Sequence, residues 1–175
     1  PVHISEISLE EQDRTPTGFG ELDRVLGSGI VKGSLVLVGG DPGIGKSTLL
    51  LQVCRNLAGA GKRVLYISGE ESLKQIKMRA NRIGEISGDL LFLCETNLDT
   101  IHGAIERAKP DVVIIDYLGL MKHDAGKSLY ERVTGTSNQL KRMARGLETP
   151  VLCLAQLNRI SIHAPRVGGD DGSRG

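Results

Sequence analysis

Aromatic side chains are scarce in this 175-residue chain: two Phe, three Tyr and no Trp make up 3% of it. A surface that stacks nucleic-acid bases on aromatic rings is therefore not expected. Only three cysteines occur, Cys54, Cys94 and Cys153, far apart and each following an apolar residue. That spacing fits neither a zinc site nor a disulfide framework, and it reads as buried thiols in a reducing compartment. No apolar run approaches the ~18 residues of a membrane span, and residues 1–15 lack a signal-peptide layout. The expectation is a cytoplasmic chain with no membrane partner. Charge of either sign is not in excess: 22 Lys and Arg against 21 Asp and Glu leave a formal +1. Any nucleic-acid surface must then come from local clusters of basic residues.

What the chain does have is glycine, 23 residues of it, and a regular alternation of apolar runs with amphipathic stretches. Residues 1–17 are polar and end in Thr15-Pro16-Thr17, which reads as an extended arm. A short helical stretch follows with Leu22, Val25 and Leu26 on one face. Leu35-Val36-Leu37-Val38 is a continuous apolar run of the kind a strand covered on both faces shows. "STLLLQVCRNLAGAG" has helical spacing at Leu49, Leu50, Val53 and Leu57 and stops at Gly59 and Gly61. The cycle then repeats through "RVLYISG", "ESLKQIKMRANRIG", "LLFLCE", "LDTIHGAIERAK", "DVVIID", "SLYERVTGTSNQLKRMARGLE" and "PVLCLAQL". Strands alternating with helices predict an α/β fold of five strands, mostly parallel, with helices on both faces. The tail "RISIHAPRVGGDDGSRG" lacks periodicity. Residues 18–159 are thus expected to form the core, and residues 160–175 a disordered or unrelated tail.

Between the first strand and its helix lies "VGGDPGIGKST". It fits G-x-x-x-x-G-K-[ST] through Gly40, Gly45, Lys46 and Ser47, with Asp41, Pro42, Gly43 and Ile44 between. The strand–loop–helix context is the one this phosphate-binding motif requires. Glycines let backbone N–H groups turn inward around phosphate oxygens, and the helix that begins near Lys46 adds its positive end. Lys46 is expected to reach the β- and γ-phosphates of ATP, Ser47 to ligate Mg²⁺, and Thr48 to support the α-phosphate side.

Other polar residues close the ends of predicted strands, where ligands gather in α/β sheets. Asp116 ends "VVIID" and is the expected acid for Mg²⁺. Glu70 and Glu71 follow "YIS"; a carboxylate there could polarise an attacking water, or both acids could simply open the next helix. Gln156 ends the last strand, where an amide could sense the γ-phosphate or be a plain polar end. Lys74, Lys77, Arg79 and Arg82 cluster on one helix, and Lys141, Arg142 and Arg145 on another. A solvated face explains these as well as a DNA-binding patch does. His102, His123 and His163 are isolated and read as surface residues.

At these residues the chain resembles the RecA-like ATPases. Residues 1–116 are similar to the RadA (Sms) family of bacterial DNA repair ATPases in "RTPTGFGELDRVLGSGIVKGSLVLVGGDPGIGKSTLLLQV", "VLYISGEES" and "KPDVVIID". From Asp116 onward, "IDYLGLM" and "YERVTGTSNQLKRMARGLETPVLCLAQLNR" resemble the DnaB family of replicative helicases. The resemblance implies a RecA-like P-loop hydrolase with ATP and Mg²⁺ as ligands and DNA, single-stranded or branched, as partner. It also implies a homo-oligomeric ring and activity in repair and recombination. It makes Glu70 the catalytic glutamate, Asp116 the Walker B acid, and Gln156 a contact between phosphate and DNA-linked loops. A zinc ribbon, a Lys-Asn-Arg-Phe-Gly motif and a protease-like domain belong to RadA proteins and are not found in these residues. The segment that carries the arginine finger in DnaB proteins is replaced by "ISIHAPRVGGDDGSRG". The core is therefore expected to be truncated on its C-terminal side.

Overall fold

The computed structural model describes residues 3–6, 14–41, 43–116, 118–120 and 129–156. The predicted tail, and with it the boundary at residue 160, lies outside the described residues, as do His123 and His163.

Five apolar runs form one fully parallel sheet: β3 (Leu35–Gly40), β4 (Val64–Ser68), β5 (Leu90–Cys94), β6 (Val112–Asp116) and β7 (Val151–Gln156). They are ordered β3-β7-β6-β4-β5. Helices cross over between them: α2 (Lys46–Gly59), α3 (Leu73–Arg82), α4 (Leu98–Ala108) and α5 (Leu129–Gly146). This is the α/β architecture that the alternating pattern predicts.

Period-2 alternation sorts the strand residues onto two faces. Val64 and Tyr66 of β4, Val112 and Ile114 of β6, and Leu152 and Leu154 of β7 pack against Leu50, Val53, Cys54 and Leu57 of α2 and Ile76 of α3. Leu65, Ile67, Val113, Ile115, Val151 and Cys153 pack on the other face against Ile101 and Ile105 of α4 and Leu140 and Met143 of α5. Every residue of β4 and β6 is buried, so both faces of the central strands are dry, and this places the core.

Three readings of the sequence need correction. β3 is not covered on both faces like β4 and β6. It lies at the edge of the described sheet, paired with β7 alone, and Leu37 is 48% exposed. In α1 (Gly20–Val25), Leu22 and Leu26 pack toward the core, but Val25 is 78% exposed. Six residues are too few for helical spacing to fix a face. Cys54 and Cys153 are buried, but Cys94 is exposed at the end of edge strand β5.

The end of the polar arm is tied down. Arg14–Thr15 (β1) pairs antiparallel with Ile30–Val31 (β2), and Thr17 is fully buried. Its amide donates to Asp23 Oδ1 at 2.7 Å and its carbonyl accepts from Asn56 of α2 at 3.3 Å. These bonds brace the start of the chain against the helix that follows the glycine loop.

Candidate nucleotide site

Because all five strands run parallel, the C-terminal ends of β3, β4, β6 and β7 emerge at one edge of the sheet. Gly40 is level with Gln156, and Ser68 with Asp116. The candidate residues named from the sequence are therefore gathered at this edge by topology alone.

The loop from Gly40 to Gly45 leads directly into α2. Gly43 and Gly45 lie at φ 82° and 90°, a left-handed conformation that costs other residues but not glycine. A Cβ on either would meet nothing within 4 Å, so backbone shape, not crowding, requires glycine there. The α3 N-terminus is closed by a reciprocal capping box between Ser72 and Gln75, and the α4 N-terminus by Asn97. The α2 N-terminus, with Gly45 at its cap, has no side-chain cap. Its first amides and the positive end of its dipole thus face the loop with no acceptor from the cap residue itself, the arrangement that suits an anion. Lys46 opens the helix and folds its ammonium back onto the loop, donating to the Gly40 carbonyl at 2.8 Å and to the Asp41 carbonyl. Ser47 is half-buried in the first turn; Ile44 and Thr48 are exposed. Pro42 lies outside the described residues.

Asp116 continues the alternation of Val112 and Ile114, so it points to the α2 side of the sheet. It is 8% exposed. The Tyr66 hydroxyl, itself buried, donates to its Oδ2 at 2.7 Å. Burial first, and then the Asp116 charge, push the Tyr66 hydroxyl well above the usual tyrosine range, so it stays a donor. Neither Tyr66 nor its role is marked in the sequence; it reads there as one more apolar strand residue.

Glu70 and Glu71 sit in the turn after β4, where the Gly69 amide donates to the Asp116 carbonyl at 2.9 Å. The two acids part company. Glu70 is exposed, and no hydrogen bond or ion pair holds it among the described residues. Glu71 is turned inward, with its amide donating to Ser68 Oγ at 3.0 Å and its carboxylate paired with Arg79 of α3. Neither opens α3 as a cap, since Ser72 and Gln75 do so. Arg79 is likewise not part of a solvated basic face: it is 24% exposed and its guanidinium also comes within 3.9 Å of Asp116 Oδ2. Helical spacing could have placed it, because Arg79 lies three residues after Ile76 and one before Ala80, the buried positions of α3. For Gln156 the backbone pairs with Gly40, and its side chain lies outside the described residues. Of the basic groups, Lys74, Lys77 and Arg82 are exposed, as are Lys141, Arg142 and Arg145. His102 is at the surface beside Glu106.

The residues present fit a magnesium nucleotide. An uncapped helix N-terminus, two left-handed glycines and a cation supply the phosphate cradle, and Ser47 and Asp116 supply hard oxygen donors. At the opposite edge of the sheet lies a hollow of about 480 Å³ lined by Val31–Leu35, Lys141, Arg145 and Glu148. Its Lys32 and Glu148 are exposed and paired with each other at 2.7 Å, and none of the phosphate-binding geometry is there.

Comparison with known proteins bears on the fold. Residues 15–91 match the KaiC model of ATPases, and residues 93–164 match that of the DnaB-like helicase C terminal domain. DNA repair protein RadA of Listeria monocytogenes is 44% identical over 98% of this chain and 36% of its own length. RadA of Bacillus subtilis is 42% identical over 95% and 37%, and that of Halalkalibacterium halodurans 53% identical over 71% and 27%. The chain thus spans about a third of the length of the curated relatives it matches. Among solved structures, the ATPase domain of G40P superimposes with a TM-score of 0.70 and 25% identity, over 85% of this chain and 66% of the other. A DnaB-like replicative helicase, studied with its interactions with primase, gives 0.71 and 24%, over 89% and 46%. These likenesses identify the sheet and its helices as the RecA-like ATPase fold.

Proposed function

We propose that this chain, a homologue of the DNA repair protein RadA with a RecA-like ATPase core, binds ATP with Mg²⁺ at the C-terminal edge of its sheet and hydrolyses it to act on single-stranded or branched DNA in a cytoplasmic repair process. The single observation that carries the reading is the uncapped N-terminus of α2, entered through left-handed Gly45 with Lys46 folded over the loop.

In this reading the loop amides of Gly40–Gly45 and the α2 N-terminus hold the phosphates, and Lys46 exchanges its loop carbonyls for the β- and γ-phosphate oxygens. Ser47 and Asp116 would hold Mg²⁺, which neutralises charge that builds on the phosphates. Tyr66 fixes the Asp116 carboxylate through its Oδ2. Glu70, exposed and without a partner among the described residues, would accept a hydrogen bond from water and aim it. Gln156, whose backbone is level with Gly40, would carry a change at the nucleotide along β7. A homo-oligomeric ring, with an arginine or lysine donated by a neighbouring subunit, completes the reading.

Residues 93–164 match a DnaB-like model, which would favour a replicative helicase. RadA proteins, however, align with 95% and more of this chain in one stretch, so a single RadA-like protein accounts for both halves. The test is binding of a fluorescent ATP analogue to the chain and to Lys46→Ala. A loss of tenfold or more, about 1.4 kcal/mol, is expected in the variant; equal affinity would remove the loop from the site. Turnover measured with and without single-stranded DNA then separates a DNA-dependent ATPase from an ATP-binding switch.

A further inference from the structure

Arg79 stands between two carboxylates but bonds only one. Its Nη2 donates to Glu71 Oε1, while Nη1 lies 3.9 Å from Asp116 Oδ2, beyond hydrogen-bond reach. Among the described residues Nη1 is buried without a hydrogen-bond partner, and so is Glu71 Oε2. A guanidinium carries five donors in a rigid fork and can serve two acids at once. Here it is held to one side.

The surroundings explain how. Glu71 is fixed through its backbone: its amide donates to Ser68 Oγ at 3.0 Å, and its carbonyl accepts from Cys94 Sγ at 3.2 Å. Ser68 is level with Asp116 on the neighbouring strand. Arg79 is fixed by α3, whose Ile76 and Ala80 are buried on either side of it. The Oδ2 atom that faces Arg79 already receives the Tyr66 hydroxyl.

We propose that Glu71 and Arg79 are a positioning pair for the metal-binding acid, in which Glu71 holds the guanidinium off Asp116 and so keeps that carboxylate open to a divalent cation. This rests on Asp116 being the metal-binding acid. Removing the Glu71 charge frees the guanidinium to close onto Asp116, where it opposes a second cation; metal binding weakens. Removing the Arg79 charge leaves two acids facing one another across the site; metal binding tightens. A pair that served packing alone would loosen the site whichever partner was lost.

The experiment is titration of Mn²⁺ by electron paramagnetic resonance in the presence of a non-hydrolysable ATP analogue, for the chain, Glu71→Gln and Arg79→Gln. Expected are a dissociation constant raised about threefold or more in Glu71→Gln and lowered about threefold or more in Arg79→Gln, the signs that Coulomb's law gives the two charges. Shifts of the same sign, or none, overturn the pair. Should Arg79→Gln fail to unfold cooperatively, Glu71→Gln decides alone: unchanged or tighter binding overturns the proposal. A wild-type chain that binds the analogue but shows mis-signed variants sinks only this pair. A wild-type chain that binds no analogue sinks the nucleotide site, and the pair with it.

Discussion

Tyr66→Phe removes one oxygen from the centre of the molecule and keeps everything else the ring does. The ring is fully buried and lies 5.7 Å from the Phe92 ring, centroid to centroid; the burial and the ring contact survive the change. What is lost is the 2.7 Å hydrogen bond to Asp116 Oδ2. A hydrogen bond to a charged group contributes ~1.5–3 kcal/mol, and the carboxylate it leaves is only 8% exposed, so water replaces the donor poorly. At ~2–4 °C per kcal/mol for a chain of this size, a loss of ~2 kcal/mol lowers the melting temperature by about 4–8 °C. The pH dependence has a definite sign. Burial and then the Asp116 charge raise the Tyr66 hydroxyl out of its ordinary range, so it stays protonated in the folded chain but ionises near pH 10 once unfolded. Its contribution is full below about pH 10 and falls by up to ~1.4 kcal/mol for each pH unit above. Thermal unfolding followed by circular dichroism at pH 7 and between pH 9.5 and 11 measures both effects. The difference between wild type and Tyr66→Phe is expected to shrink on the alkaline side. A melting temperature within 1 °C of wild type at pH 7, or a difference constant up to pH 11, would refute the reasoning.

Two further outcomes follow from the same geometry. Glu70→Gln is expected to leave ATP affinity nearly unchanged while slowing hydrolysis by ~10²-fold or more, because aligning water acts mainly in the transition state; equal single-turnover rates would move the role elsewhere. Of the three thiols, Cys94 is expected to react first with a maleimide on the native chain. Cys54 and Cys153, buried and with their thiols pushed far up by desolvation, should react only on unfolding; simultaneous labelling detected by mass spectrometry would contradict the packing.

The sheet and its helices were legible because their signals are long. "VLYIS", "VVIID" and the "VLCL" of the last strand are continuous, mainly apolar runs, and they became the fully buried centre. The glycine loop was legible for a different reason: its residue types are fixed by backbone conformation, as the left-handed Gly43 and Gly45 show. Short elements were not legible. β1 and β2 have two residues each, too few for any period, and a six-residue helix misassigned Val25. Nor does an apolar run reveal whether its strand is central or at an edge, since that depends on what the rest of the chain places beside it; hence the exposed Leu37 and Cys94. Tyr66 was hidden because its partner is remote. Tyr66 and Asp116 are 50 residues apart in sequence, and only the parallel pairing of β4 with β6 brings them together.

The site as a whole is tested by where a nucleotide touches the chain. Amide chemical shifts recorded by NMR as Mg²⁺·ATP is added should move at Gly43, Gly45, Lys46 and Ser47 first, and at Gly69 and Asp116 with them. Lys32, Lys141, Arg145 and Glu148, around the hollow at the opposite edge, should stay where they are. Shifts confined to that hollow, or none at the glycine loop at saturating nucleotide, would contradict a nucleotide site at the C-terminal edge of the sheet.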